Sequence, residues 1–132
     1  MESKEFIDGL KRDKARGNLA PHQVILLIAF LNLHEVSNRS KIYDISRLIE
    51  EFKKVWINHQ FKFETKNNNI GLPLRALVNA GYIEIEVISP IKDYRNKQEL
   101  KSKITKLVIS NILDELFHNE NLMEELSSRI VK

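Results

Sequence analysis

The sequence predicts a mainly α domain with a small β-sheet, and three observations carry that expectation. Residues 24–33 are apolar nearly all round, as a helix at the centre of a core must be. Ile45, Leu48, Ile49, Phe52, Val55 and Trp56 recur at spacings of three and four, with Lys53 and Lys54 on the opposite side. The stretch "YIEIEVI", residues 82–88, instead alternates: Tyr82, Glu84 and Glu86 form a wet face, and Ile83, Ile85 and Val87 a dry one.

Taken in order, residues 4–16 place Phe6, Ile7 and Leu10 at helical spacing before a basic "KRDKAR", and Gly17 with Asn18 ends that short helix. Pro21 opens the central helix, where its absent N–H is not missed. A polar loop and an extended piece near residues 41–43 precede the third helix, capped by Asp44 or Ser46. "KFETKNNN" reads as a polar connection, after which "IGLPLRALVNAG" predicts a short helix starting near Pro73 and closed by Gly81. Ser89 and Pro90 end the strand. Beyond a charged segment, Leu100, Ile104, Leu107, Val108, Leu113, Leu116 and Phe117 fit a further helix from about residue 97. A break near "FHNEN" precedes a last helix carrying Leu122, Leu126 and Ile130. The expected architecture is a single winged-helix-like domain spanning residues 1–132, with C-terminal helices from about residue 97.

Composition narrows the function. With no cysteine, the chain has no disulfide framework, thiolate nucleophile or Cys-based metal site. Its longest apolar run, residues 24–33, falls short of a membrane span, and "MESKEFIDGLKRDK" lacks a basic start feeding an apolar signal core. The expected location is therefore the cytoplasm, with no membrane partner. The formal net charge of +3 is small, but its distribution is uneven. Residues 89–106 hold six Lys or Arg against Asp93 and Glu99, whereas residues 107–132 hold five acids against Arg129 and Lys132.

Catalytic patterns are missing. His22, His34, His59 and His118 form no close pair and lack the Cys or carboxylate company of a zinc centre, so neither metal nor other cofactor is expected. Glu50 and Glu51 diverge on a helix, and Glu84 with Glu86 solvates a strand face. No Gly-rich phosphate loop or G-x-S-x-G turn occurs. This chain alone is not expected to be an enzyme.

"NLAPHQVILLIAFLNL", the helix of residues 48–56 and "LPLRALVNAGYIEI" together resemble the sulfur-recognising domain of McrA-like HNH restriction endonucleases. The resemblance covers about residues 6–117 and implies a winged-helix-like fold that binds double-stranded DNA with a phosphorothioate backbone. The family's Pro-His-basic step matches Pro21, His22 and Gln23, with glutamine in place of Lys or Arg. Its Tyr-Pro-aromatic-x-Ala sulfur pocket matches Leu72, Pro73, Leu74 and Ala76, with leucine where the family has tyrosine. Arg95 and Asn96 match its arginine and small polar neighbour.

The resemblance thus implies an apolar cup at Leu72, Pro73, Leu74 and Ala76, and phosphate or phosphorothioate contacts from His22, Gln23, Arg95 and Asn96. Lys11, Arg12, Lys14, Arg16, Arg75, Lys92, Lys97, Lys101 and Lys103 are candidate contacts to the duplex backbone. Asn67, Asn68, Asn69 and Asn79 are candidate base contacts, since carboxamides pair with adenine edges. No HNH segment follows, so the expected partners are modified DNA and a separate or fused nuclease. Two competing expectations are a winged-helix regulator of unmodified DNA and a protein-interaction module that uses Leu122, Met123, Leu126 and Ile130.

Overall fold

A helix apolar on every side needs neighbours on every side, and α2 (His22–Val36) has them in the computed structural model, which describes residues 3–8, 21–62 and 68–130. Residues 24–31 are buried throughout. Packed around α2 are α3 (Ile45–His59), α4 (Gly71–Asn79) and α7 (Leu122–Ser128). Near its end, Asn32 Nδ2 donates to Glu51 of α3 at 3.1 Å.

The amphipathic stripe of α3 buries Ile45, Leu48, Ile49, Phe52, Val55 and Trp56, leaving Lys53 and Lys54 exposed. Asp44 is its cap: Oδ2 accepts from the Arg47 N–H at 3.1 Å, satisfying a donor that the first turn leaves open. A 3₁₀ turn, Gln60–Lys62, follows. In α4, Leu74 and Leu77 enter the core. The chain then reverses at Gly81, whose φ of 83° is open to glycine. There the Tyr82 N–H donates to Leu77 and the Gly81 N–H to Val78, the paired closure that releases the chain into a strand.

The sheet has three antiparallel strands, β1 (Ile42–Tyr43), β2 (Ile83–Val87) and β3 (Ile104–Ile109), in the order β1-β3-β2. Its central strand is where the helical expectation for residues 97–117 fails. α5 (Lys97–Lys103) ends before Ile104, β3 follows, and α6 (Asn111–Phe117) begins after the Ser110 cap. Ile104, Leu107 and Val108 fit helical spacing, but Leu107 and Ile109 equally fit alternation, and a short apolar run cannot choose between the two. Pairing decides it: Leu107 sits opposite both Tyr43 and Ile85, so both outer strands depend on this segment being extended. A register shift between Glu86 and Val87 accommodates Thr105, whose Oγ1 donates to the Glu86 carbonyl at 3.1 Å.

Leu113, Leu116 and Phe117 of α6 and Leu122, Leu126 and Ile130 at α7 are buried. Burial removes Leu122, Leu126 and Ile130 from the free apolar face that the protein-interaction expectation required. Next to α7 lies α1 (Ser3–Asp8), whose Phe6 ring meets the edge of Tyr82 at 4.9 Å. The expected continuation of this first helix to residue 16, including Leu10, lies outside the described residues. The fold is thus mainly helical with a small antiparallel sheet. Its order, α2-β1-α3-α4-β2-β3 with α5 between the last two strands, is compatible with a winged-helix-like domain. Among the described residues, no helix is long and apolar enough to cross a membrane.

Candidate functional site

Two segments far apart in sequence meet at the start of α4. Gly71 lies so close to the turn at Tyr94 and Arg95 that a Cβ there would overlap the Tyr94 carbonyl and stand 2.8 Å from the Arg95 nitrogen. Asn69 holds the approach from both sides: its Oδ1 accepts from the Gly71 N–H at 2.8 Å and its Nδ2 donates to the Arg95 carbonyl at 2.8 Å. The outer face of α4 carries Leu72, Arg75, Ala76 and Asn79 at helical spacing, while Pro73 and Leu74 turn inward. Leu72 is 53% exposed and Leu74 is fully buried, although they are two residues apart.

The turn that carries Arg95 is built by carboxylates. Asp93 Oδ1 accepts from the Arg95 N–H at 3.0 Å and from Arg95 Nε at 3.3 Å. These bonds, the main-chain one first, hold the Asp93 carboxyl below its ordinary range. Glu99 closes the other side, accepting from Lys103 Nζ at 2.6 Å and from the main-chain N–H groups of Lys92 and Asp93 at 2.7 and 2.9 Å. Its carboxyl is drawn down to about 2, chiefly by the Lys103 bond and then by the two main-chain donors. Lys103 also donates to the Pro90 carbonyl at 2.8 Å.

No protein-family model matches this chain, and no curated protein matches it. Its own geometry therefore has to sort the candidates. The structure brings Leu72, Arg75, Ala76 and Asn79 together on one helix face and docks the Arg95 turn at the start of that helix. Arg75, Lys92, Arg95, Lys97 and Lys101 are exposed, as a backbone-binding surface requires.

Other candidates have structural work. Leu74 is core, so the apolar surface open to a ligand comes from Leu72 and Ala76, with Pro73 buried behind them. Lys103 is tied to Glu99 and Pro90, which removes it from the set of outward cations. Asn96 caps α5, its Oδ1 accepting from the Glu99 N–H at 3.1 Å, and Asn69 uses both ends of its carboxamide to fasten the turn. His22 begins α2 with its ring 5.1 Å from Trp56, and Gln23 beside it is half-buried. Asn68 is exposed, whereas Asn67, Lys11, Arg12, Lys14 and Arg16 lie outside the described residues.

Sequence reading missed two features. Gly71 and Asn69 are what join helix to turn, and the only advance signal was a glycine where the helix begins. Secondly, His34 and His118, unrelated by spacing, come within 5.3 Å ring to ring beside Asp114. A separate cavity of about 320 Å³ under β1, bordered by Tyr43, Arg47, Thr105 and Lys106, contains none of the predicted site residues.

Proposed function

We propose that this chain is a non-catalytic module that binds double-stranded DNA and prefers a phosphorothioate backbone. The resemblance to the sulfur-recognising domains of McrA-like HNH endonucleases motivates the ligand. The observation that carries the reading is the docking of the Arg95 turn against Gly71, which brings an exposed arginine to the start of the helix bearing Leu72 and Ala76.

Sulfur is larger, more polarisable and more weakly hydrated than the oxygen it replaces. Apolar surface from Leu72 and Ala76 favours it through a lower desolvation cost, while Arg95 addresses the remaining phosphate charge through its planar donors. Arg75, Lys92, Lys97 and Lys101 add salt-dependent affinity without distinguishing sulfur from oxygen. By analogy with helix-turn-helix proteins, whose second helix is laid in the major groove, α4 is the candidate recognition helix because it follows α3 and precedes β2 in chain order. In a nuclease system such a chain supplies recognition and leaves cleavage to a partner.

Matched modified and unmodified duplexes, titrated at several salt concentrations, test the proposal. The modified duplex is expected to bind at least ~10-fold tighter, a difference of about 1.4 kcal/mol. Ala76→Leu crowds the outer face of α4 and is expected to weaken modified DNA selectively, whereas Arg95→Ala weakens both duplexes. Equal affinities for the two duplexes would remove the sulfur preference, and no binding even at low salt would remove the DNA reading. The shared face of Arg75 and Asn79 favours a second reading, a regulator of unmodified sequence, which strong discrimination among unmodified duplexes would select.

A further inference from the structure

We propose that His34, Asp114 and His118 form a binding site for a divalent transition-metal ion, of which Zn²⁺ is the natural representative. One donor atom from each of the three residues lies within 4.8 Å of the others. Two nitrogens and a carboxylate oxygen are the ligand types of zinc and its borderline neighbours, and imidazole disfavours Ca²⁺ or Mg²⁺. The site staples the C-terminal part of α2 to α6, elements joined here across 80 residues of sequence.

The hydrogen bonds prepare the donors. His118 Nδ1–H donates to the Asp114 main-chain carbonyl at 2.7 Å. A carbonyl can only accept, so this bond fixes the proton on Nδ1 and leaves Nε2 with the lone pair, the outer-sphere arrangement by which metal-binding histidines are oriented. His34 Nε2–H donates to Asp114 Oδ1 at 2.9 Å. A bound ion takes the place of that proton, releasing it to solvent, and the N···O separation is near the ~3.3 Å edge of a tetrahedron with metal–ligand bonds of about 2.0 Å. His34 is fully buried, yet its Nδ1 has no hydrogen-bond partner among the described residues. Coordination through Nε2 leaves the proton on Nδ1, so this nitrogen takes no part in holding the ion.

Exposure sets the remaining geometry. His34 is sealed and Asp114 half-buried, while His118 is exposed and able to close the set from the solvent side. Three protein ligands leave a fourth position for water. Tyr43, whose buried hydroxyl also has no partner among the described residues, lies near enough to Asp114 to feel its charge. The helices around this corner are already packed, so the ion reinforces a formed structure.

The test uses the full chain with Zn²⁺ in a thermal melt and Co²⁺ in visible spectroscopy. Wild-type protein is expected to show a saturable one-to-one rise in melting temperature with Zn²⁺ and the intense visible bands of tetrahedral Co²⁺. His118→Ala changes an exposed side chain and is expected to fold normally while losing at least ~10-fold in affinity. Asp114→Asn keeps an oxygen to accept from His34, and is likewise expected to fold and to bind weakly. His22→Ala and His59→Ala, at histidines elsewhere, serve as controls and are expected to bind like wild type. A wild-type protein without one-to-one binding, or variants His118→Ala and Asp114→Asn that bind as tightly as wild type, would overturn the site.

Discussion

The two ends of the β-sheet's surroundings treat polar groups in opposite ways. At the α4 corner, the polar side chains that shape the turn are engaged: Asn69 bridges helix and turn, Asp93 holds Arg95, and Glu99 collects three donors. At the α2–α6 corner, His34 Nδ1 and the Tyr43 hydroxyl are buried without partners among the described residues. The first corner fixes a shape for something outside to meet. The second holds buried donors and acceptors in reserve, at a cost that apolar packing must offset.

Breaking the first corner produces the largest effect. Gly71→Ala forces a methyl group into the main chain of Tyr94 and Arg95, where no side-chain rotation can relieve it. A loss of about 3 kcal/mol or more is expected in denaturant melts, since overpacking against backbone lies at the upper end of the usual range. The DNA affinity attributed to Arg95 is expected to fall with it. Wild-type stability in Gly71→Ala would show that the turn is not docked on α4.

Side-chain deletions sharpen the contrast. Asn69→Ala removes two hydrogen bonds at once and is expected to cost about 1–2 kcal/mol by chemical denaturation. Tyr43→Phe, at the other corner, deletes a buried hydroxyl that lacks a partner and is expected to be neutral or to stabilise by up to about 1 kcal/mol. A destabilising Tyr43→Phe would mean that the hydroxyl is satisfied in solution, and the two corners would then not differ in kind.

This difference also explains how much was legible in the sequence. The all-round apolar run of α2, the stripe of α3 and the alternation of β2 are local signals, and each element forms where its signal lies, although in β2 the expected dry Val87 is exposed and the expected wet Tyr82 packs against Phe6. Local spacing predicts helix across β3 because the strand's identity lies in its partners: the pairs Tyr43–Leu107 and Ile85–Leu107 join segments that sequence distance keeps apart. The α4 face was half legible. Helical spacing set Arg75 and Asn79 outward with Leu72 and Ala76, but the inward turn of Pro73 and Leu74 depends on where α2 lies. Asp114 and His118, four residues apart, share a helix face and were legible as a pair, whereas His34 joins them only after α2 and α6 have packed.

The subtlest expected difference is in pH dependence. Glu99 has its folded-state carboxyl drawn down to about 2 from an ordinary value of 4.5, first by the Lys103 bond and then by the Lys92 and Asp93 N–H groups. A lowered folded value means that the charged form is the one the fold favours. The stabilisation is therefore complete above about pH 4.5 and is lost as pH falls toward 2. Glu99→Gln cannot titrate, so the melting-temperature gap between wild type and variant is expected to be level above about pH 4.5 and to close toward pH 2. Asp93, held low by its bonds to Arg95, is present in both proteins and enters the comparison only through its repulsion with Glu99. A gap that stays constant down to pH 2 would assign Glu99 a packing role only, because loss of shape is indifferent to protons whereas loss of a charged hydrogen-bond acceptor is not.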